Sequence, residues 1–390
     1  MRIDPVTATP PRTALVLAGG GITGFLFEIG ALAALEETLP AGSFSDRFDL
    51  FVGTSAGSVA AALLANDVRP SEIFQAVGEN LDSPFNFRAE DVFGTAGSTL
   101  RLLAQFARPL GGAITRALRR GPRGSLATML ADFQEHHPPG FYSTEPLERT
   151  LCERFGALGY PHRFDELPRR LYVTGADIDT AERLVFGAGD LEGVHICRAV
   201  AASCAIPIFF QPIRIGERDV VDGGVAGATA IDVAAECGAR VVVHVNPLIP
   251  MRNDRASLCL PLDGKQCARL AEKGVGWIAD QSLRMLLAAK LADTLVALDL
   301  RYPDLVIHAV EPRADELPMF EHNPMSFAAR RELLDYGYAC GRRAVTTSLL
   351  EQLERGPGAA VTLPEVGSGA PPPSAPPLRR TWPRDRARGT

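Results

Sequence analysis

The chain has 390 residues, 46% of them hydrophobic, a net charge of −6 and seven cysteines. That apolar content suits one large core, and the absence of any run of about eighteen apolar residues excludes an expected membrane span. Residues 1–12 lack a basic-then-apolar leader pattern, so a cytoplasmic protein is expected.

Ala14–Ala18 reads as a buried strand running into Gly19-Gly20-Gly21, followed by a helical pattern over Phe25–Leu39. Three glycines leave backbone N–H groups unscreened, which makes an anion cradle for a phosphate or for the oxyanion of acyl transfer. Gly19–Gly24 also contains the G-x-G-x-x-G spacing, with Glu36 and Glu37 downstream, so a nucleotide site stays open at this point.

Next comes an apolar strand, Phe48–Val52, then Gly53-Thr54-Ser55-Ala56-Gly57, then a helix-compatible stretch, Ser58–Asn66. A serine on a sharp strand-to-helix turn is lifted clear of the sheet, and glycines two residues to either side let the backbone bend. Ser55 is therefore the candidate nucleophile, with Gly53 and Gly57 supporting its turn. It also shifts the reading of the glycine loop toward an oxyanion hole, because a reacting carbonyl now has somewhere to sit.

Residues 82–170 form an insertion of mostly helical pattern. Within it, segment 94–124 carries six arginines and no acidic residue among apolar positions such as Leu100, Leu103 and Phe106. This reads either as a peripheral membrane contact or as a core-packed helix pair with solvated arginines. Aromatic interleaving is absent, so nucleic acid is not an expected partner.

Strand and helix patterns resume over Leu171–Val245, which predicts a largely parallel sheet. Asp219-Val220-Val221 leads into Asp222-Gly223-Gly224, an open turn at a strand end where another side chain can approach the aspartate. Cys267–Leu300 and Met325–Gln352 are helical patterns, and the stripe Leu283, Leu286, Leu287, Leu291 and Leu295 is expected to pack on the core. A Pro-rich basic tail, 353–390, cannot bury enough apolar surface to order itself. The cysteines show no CxxC or zinc spacing, so no metal or other cofactor is expected.

The glycine loop, the GxSxG elbow and the D-G-G turn, in this order, resemble the patatin-like phospholipase family. The likeness runs from about Thr13 to Leu350 and includes Gly175–Thr180 and Ala202–Pro207. It implies a three-layer α/β/α fold with a mostly parallel central sheet and a helical insertion after the nucleophile helix. It also implies a Ser-Asp dyad hydrolysing acyl-lipid or phospholipid esters, with Ser55 as nucleophile, Asp222 as proton acceptor, and Gly19, Gly20, Gly21 and Gly24 as the oxyanion loop. Gly223 and Gly224 support the aspartate. The chain departs from the family pattern at Thr23, where a basic residue is usual, and at Val225–Asp232, where Asn-x-Pro is common. A weakly catalytic member that binds lipid or protein is the alternative these departures leave open. A Ser-His-Asp triad would need His244, His308 or His322, of which His244 lies inside an apolar strand.

Overall fold

The computed structural model describes residues 13–40, 42–94, 115, 139–227, 229–254, 260 and 269–354. The basic segment 94–124, apart from Gly94 and Thr115, lies outside the described residues, as do the N-terminal extension and the tail from 355.

The strands are β1 (Thr13–Leu17), β2 (Leu50–Thr54), β3 (Gly140–Tyr142), β4 (Arg170–Asp177), β5 (Glu182–Phe186), β6 (Ile208–Phe210), β7 (Ile213–Ile215), β8 (Arg218–Asp222), β9 (Val241–Val245) and β10 (Val306–Val310). Eight of them form one sheet in the order β10-β9-β1-β2-β4-β8-β7, with β5 also paired to β4. β10, β9, β1, β2 and β4 are mutually parallel, while β5 and β8 run antiparallel to β4 and β7 runs antiparallel to β8. β3 and β6 make a separate two-stranded parallel ribbon.

The pleat sorts side chains into two cores. Leu15, Leu17 and Phe51 enter one cluster, while Ala14, Val16, Leu50 and Val52 enter a second, so apolar runs that do not alternate are buried on both faces. Helix α1 (Gly21–Thr38), helix α2 (Ala56–Ala65) and the helix Arg330–Ala344 contribute to the first cluster. The helix Ile231–Glu236 and part of Val275–Arg301 contribute to the second. This is the expected α/β/α sandwich.

Helix α1 is apolar nearly all round because it is covered nearly all round, by Arg330–Ala344, by the helix Pro70–Gly78 and by α2. Helix α1 and Arg330–Ala344 meet through glycines. A Cβ on Gly30 would stand 2.1 Å from the Leu334 carbonyl oxygen, and one on Gly337 would stand 2.2 Å from that of Phe27. Gly341 makes the same approach to Ala31, at 2.4 Å.

The leucine stripe behaves differently from expectation. In the helix Val275–Arg301 only Arg284, Leu287 and Leu298 are buried, with Leu291 packed against the second cluster. Leu283, Leu286 and Leu295 are 46%, 68% and 37% exposed. At 100° per residue Leu286 stands roughly a quarter-turn from Leu287, so residues that look like one stripe in the sequence spread beyond the contact face. Among the described residues, no helix is long and apolar enough to cross a membrane.

Because backbone cannot yield as a flexible side chain does, Gly337→Ala is expected to lower stability by about 2 kcal/mol in denaturant unfolding, despite alanine's better helix propensity. Gly276, at the start of the helix Val275–Arg301, has open space around its would-be Cβ. Gly276→Ala should show the opposite sign, a gain of about 0.5 kcal/mol.

Candidate active site

The sheet register brings the two most informative polar residues together. Thr174 of β4 pairs with Thr54 of β2, and the next residue, Gly175, pairs with Asp222 of β8. Both Thr174 and Gly175 also pair with β5, so β2 and β8 occupy the same edge of β4, one ending where the other begins. Ser55, immediately after Thr54, and Asp222 are thereby placed side by side. The Ser55 hydroxyl stands close enough to the Asp222 carboxyl to favour its charged form, and both residues are buried, with 6% and 5% exposure.

Ser55 has φ 53° and ψ −133°, a conformation that L-residues rarely adopt. Three hydrogen bonds hold it there. Its N–H donates to Ser203 Oγ at 2.8 Å, and its carbonyl accepts from Ser58 N–H at 2.8 Å and Ser58 Oγ at 2.6 Å. The flanking glycines are required by close approach: a Cβ on Gly53 would lie 2.4 Å from Ser58 Cα, and one on Gly57 would lie 2.7 Å from the Leu17 carbonyl oxygen.

Asp222 accepts a hydrogen bond from Gly224 N–H at 2.8 Å. Its own N–H donates to the Ala205 carbonyl at 3.0 Å, which ties the D-G-G turn to the Ala202–Pro207 stretch. Gly223 is pressed onto β4, where a Cβ would meet Thr174 Oγ1 at 2.4 Å. Burial raises the Asp222 carboxyl to about 6, against the pull of the Ser55 hydroxyl and of the hydrogen bond from Gly224.

The glycine loop faces this pair. Gly19, Gly20 and Gly21 have φ of 86°, 119° and 67°, and a Cβ on Gly19 would lie 2.8 Å from Ser55 Cβ. Gly19 N–H donates to Glu28 Oε1 at 2.8 Å, and Gly24 N–H donates to the Gly20 carbonyl at 3.1 Å. Of the four loop glycines, Gly19 and Gly24 thus have their donors engaged. The N–H groups of Gly20, Gly21 and Ala56 meet no protein acceptor among the described residues. Gly21 and Ala56 open helices α1 and α2, so their donors are among those a helix leaves free.

Thr23 takes over part of the bracing that a basic residue would supply. Its N–H donates to the Pro324 carbonyl at 3.2 Å and its Oγ1 lies 3.4 Å from the Gly20 carbonyl oxygen. Behind the loop, a Cβ on Gly20 would touch Pro247 and Leu248, each at 3.2 Å. Pro247 is in turn held by Arg284, a residue 1% exposed whose Nη1 donates to the Pro247 and Ile249 carbonyls at 3.0 and 3.3 Å. No local sequence pattern marks Glu28, Arg284 or Pro324 as supports of the loop, while Ser203 lies within the Ala202–Pro207 stretch.

A cavity of about 700 Å³, counting its open mouth, extends from Ser55 between apolar walls that include Phe25, Val59, Leu147 and Phe210. Arg330 is the one charged side chain among the described residues that line it. The three histidines of a conceivable triad are placed elsewhere: His244 is buried in β9 and held neutral by burial, at about 3. His308 bonds Gln352 at 2.8 Å, and His322 bonds Glu332 at 3.1 Å.

The patatin-like phospholipase family model matches residues 15–235. The chain belongs to that family. It is 28% identical over 251 residues to the uncharacterized protein YqhO of Bacillus subtilis (strain 168), covering 62% of this chain and 72% of that protein. It is 26% identical over 225 residues to a cGAMP-activated phospholipase of Escherichia coli (strain TW11681), covering 54% of this chain and 50% of that one. An uncharacterized NTE family protein of Mycobacterium tuberculosis (strain ATCC 25618 / H37Rv) is 28% identical over 210 residues, but the chain spans only 26% of its length. Among solved structures, VipD from Legionella pneumophila aligns over 86% of this chain and 67% of its own at 15% identity, with a TM-score of 0.37.

In this patatin-like protein, the Gly19 donor and the buried Glu28 carboxyl form the floor of the loop. Burial raises Glu28 well above the usual carboxylate range, and its Oε2 has no hydrogen-bond partner among the described residues. Glu28→Gln keeps an acceptor for Gly19 and should retain ester hydrolysis within about threefold, whereas Glu28→Leu orphans that N–H and should lower kcat by about 10²-fold. Steady-state kinetics on a soluble ester check both.

Proposed function

We propose that the chain is a serine hydrolase of acyl-lipid esters working through a Ser55–Asp222 dyad, with phospholipid as its substrate class. The observation that carries the reading is the buried Ser55 beside the buried Asp222, on a strained elbow next to backbone donors that meet no acceptor among the described residues. A dinucleotide is poorly served by this loop, because Gly19 is packed against Ser55 and its donor already faces a carboxyl.

In the proposed reaction, Asp222 accepts the Ser55 hydroxyl proton as Oγ attacks the ester carbonyl. The N–H groups of Gly20, Gly21 and Ala56 hold the oxyanion that forms. Collapse breaks the ester bond, and protonated Asp222 returns the proton to the departing alkoxide, leaving an acyl-Ser55. Water then gives its proton to Asp222 and attacks the acyl carbonyl, releasing the fatty acid and restoring Ser55. An aspartate at about 6 is a better base than one at its ordinary 3.8, yet remains mostly ionised at neutral pH.

The apolar cavity accommodates an acyl chain, and Arg330 favours an anionic head group. Its guanidinium donates to Asn80 Oδ1 at 3.2 Å, Asn86 Oδ1 at 2.7 Å and the Phe87 carbonyl at 3.1 Å, all neutral acceptors. Asn86 is itself fixed, with its amide nitrogen donating to Asn80 Oδ1 and the Leu81 carbonyl. No carboxylate forms an ion pair with Arg330 among the described residues, so its charge is left for a ligand such as a phosphate.

Ser55→Ala and Asp222→Asn should each reduce hydrolysis of p-nitrophenyl esters and a fluorogenic phospholipid by at least about 10³-fold, and Ser55→Ala should abolish fluorophosphonate labelling. Wild-type kcat/KM should fall about tenfold per pH unit below pH 6, as Asp222 takes up a proton, and level off above it. A wild type inert to both esters and label would overturn the hydrolase reading in favour of a binding protein.

Arg330→Gln should raise KM for an anionic phospholipid about tenfold while leaving a neutral short-chain ester unaffected. Equal effects on both substrates would remove the head-group role.

A further inference from the structure

The sequence spacing of the cysteines gave no sign of a metal, but folding brings two of them to one histidine. Cys152 lies in the helix Glu145–Leu158, His162 follows that helix past its glycine cap, and Cys197 is the second residue of the helix Ile196–Ser203. The Cys152 Sγ, one His162 ring nitrogen and the Cys197 Sγ all lie within 4.8 Å of one another. Cys197 Sγ is 3.8 Å from His162 Nδ1. In a tetrahedral zinc site with Zn–S about 2.3 Å and Zn–N about 2.0 Å, neighbouring ligand atoms stand roughly 3.5–3.8 Å apart, so little movement would close the set.

Both cysteines are free thiols. Cys197 is fully buried and forms an inner wall, while Cys152 and His162 are half-buried and leave an outer approach. The loop is already fixed, since the His162 carbonyl accepts from Ile196 N–H at 2.9 Å. The exposed His195 ring stands 6.4 Å from that of His162, on the open side.

We propose that Cys152, His162 and Cys197 form a zinc site. Two thiolates and an imidazole are a donor set that zinc favours over magnesium or calcium, which take oxygen ligands. With three protein ligands the fourth position is left to water, and the ion would join the helix Glu145–Leu158 to the helix Ile196–Ser203. The last residue of the second helix, Ser203, supplies the oxygen that receives the Ser55 N–H. The site is separate from the dyad, and the proposal stands or falls independently of the hydrolase reading.

The test uses the full chain, reconstituted with zinc sulfate under a non-thiol reductant, desalted, and analysed for metal by mass spectrometry. One equivalent of zinc is expected, and cobalt(II) in its place should show thiolate-to-metal charge-transfer absorption. Cys152→Ser and His162→Ala, both at half-buried positions, should weaken zinc at least about tenfold in competition with a chromophoric chelator, with unchanged circular dichroism. Substoichiometric zinc in folded wild type, or equal zinc affinity in folded His162→Ala, would overturn the site. If both variants unfold, loss of the cobalt charge-transfer band in Cys197→Ala decides the same point on any folded fraction, and its persistence there would overturn the site.

Discussion

Everything at the centre of the molecule depends on one junction along β4, where Thr174 pairs with the end of β2 and Gly175 with the end of β8. Two strands of opposite direction share an edge and stop against each other, and the turns that leave them carry Ser55 and Asp222. The junction is tightly specified. Thr54 and Thr174 join their hydroxyls at 2.7 Å, and Gly223 has no room for a Cβ beside Thr174. A one-residue slip of β8 would turn Asp222 to the other face of the sheet and separate the pair.

This placement has an electrostatic consequence. Asp222 is buried, and the Ser55 hydroxyl and the Gly224 N–H are too few to offset its loss of water, so its folded value rises from 3.8 to about 6. The native state therefore holds the Asp222 proton more tightly than the unfolded chain does. The associated stability is full below about pH 4 and is lost as pH rises through about 6. At neutral pH the fold carries an ionised, destabilising carboxylate at the position where a base is useful. The strained Ser55 backbone adds a second local cost. Rigid surroundings over-determine both: the Ser203 and Ser58 bonds on one residue and the Gly224 and Ala205 bonds on the other.

Local chemistry made the elbow and the sheet legible in the sequence. A strand, a serine between two glycines and a helix announce themselves within ten residues, and apolar runs without alternation signal strands covered on both faces. What stayed hidden depends on contacts between distant segments. The loop glycines looked equivalent in the sequence, but Glu28 and the Gly20 carbonyl engage the donors of Gly19 and Gly24 and leave those of Gly20 and Gly21. The leucines of Val275–Arg301 looked like a core stripe, but helical periodicity alone does not say how wide the covering surface is. Cys152, His162 and Cys197 fit no ligand spacing because three separate segments supply them.

The family match ends at residue 235, but the site is not complete there. Pro247 and Leu248 back Gly20, and Arg284 holds Pro247 through its carbonyl. Pro324 caps the loop from above, a Cβ on Gly21 lying 2.7 Å from its carbonyl oxygen, and Arg330 places the only charge among the described residues lining the cavity. Thr23 is 1% exposed, and its N–H is held by the Pro324 carbonyl. The loop is thus packed by residues that lie beyond the family match. Its donors are consequently coupled to the helix Arg330–Ala344, whose glycines bring it against α1 and whose first residue is Arg330. A displacement of that helix would move the N–H groups of Gly20 and Gly21 together with the Arg330 guanidinium, so the two roles proposed for them share one mechanical support.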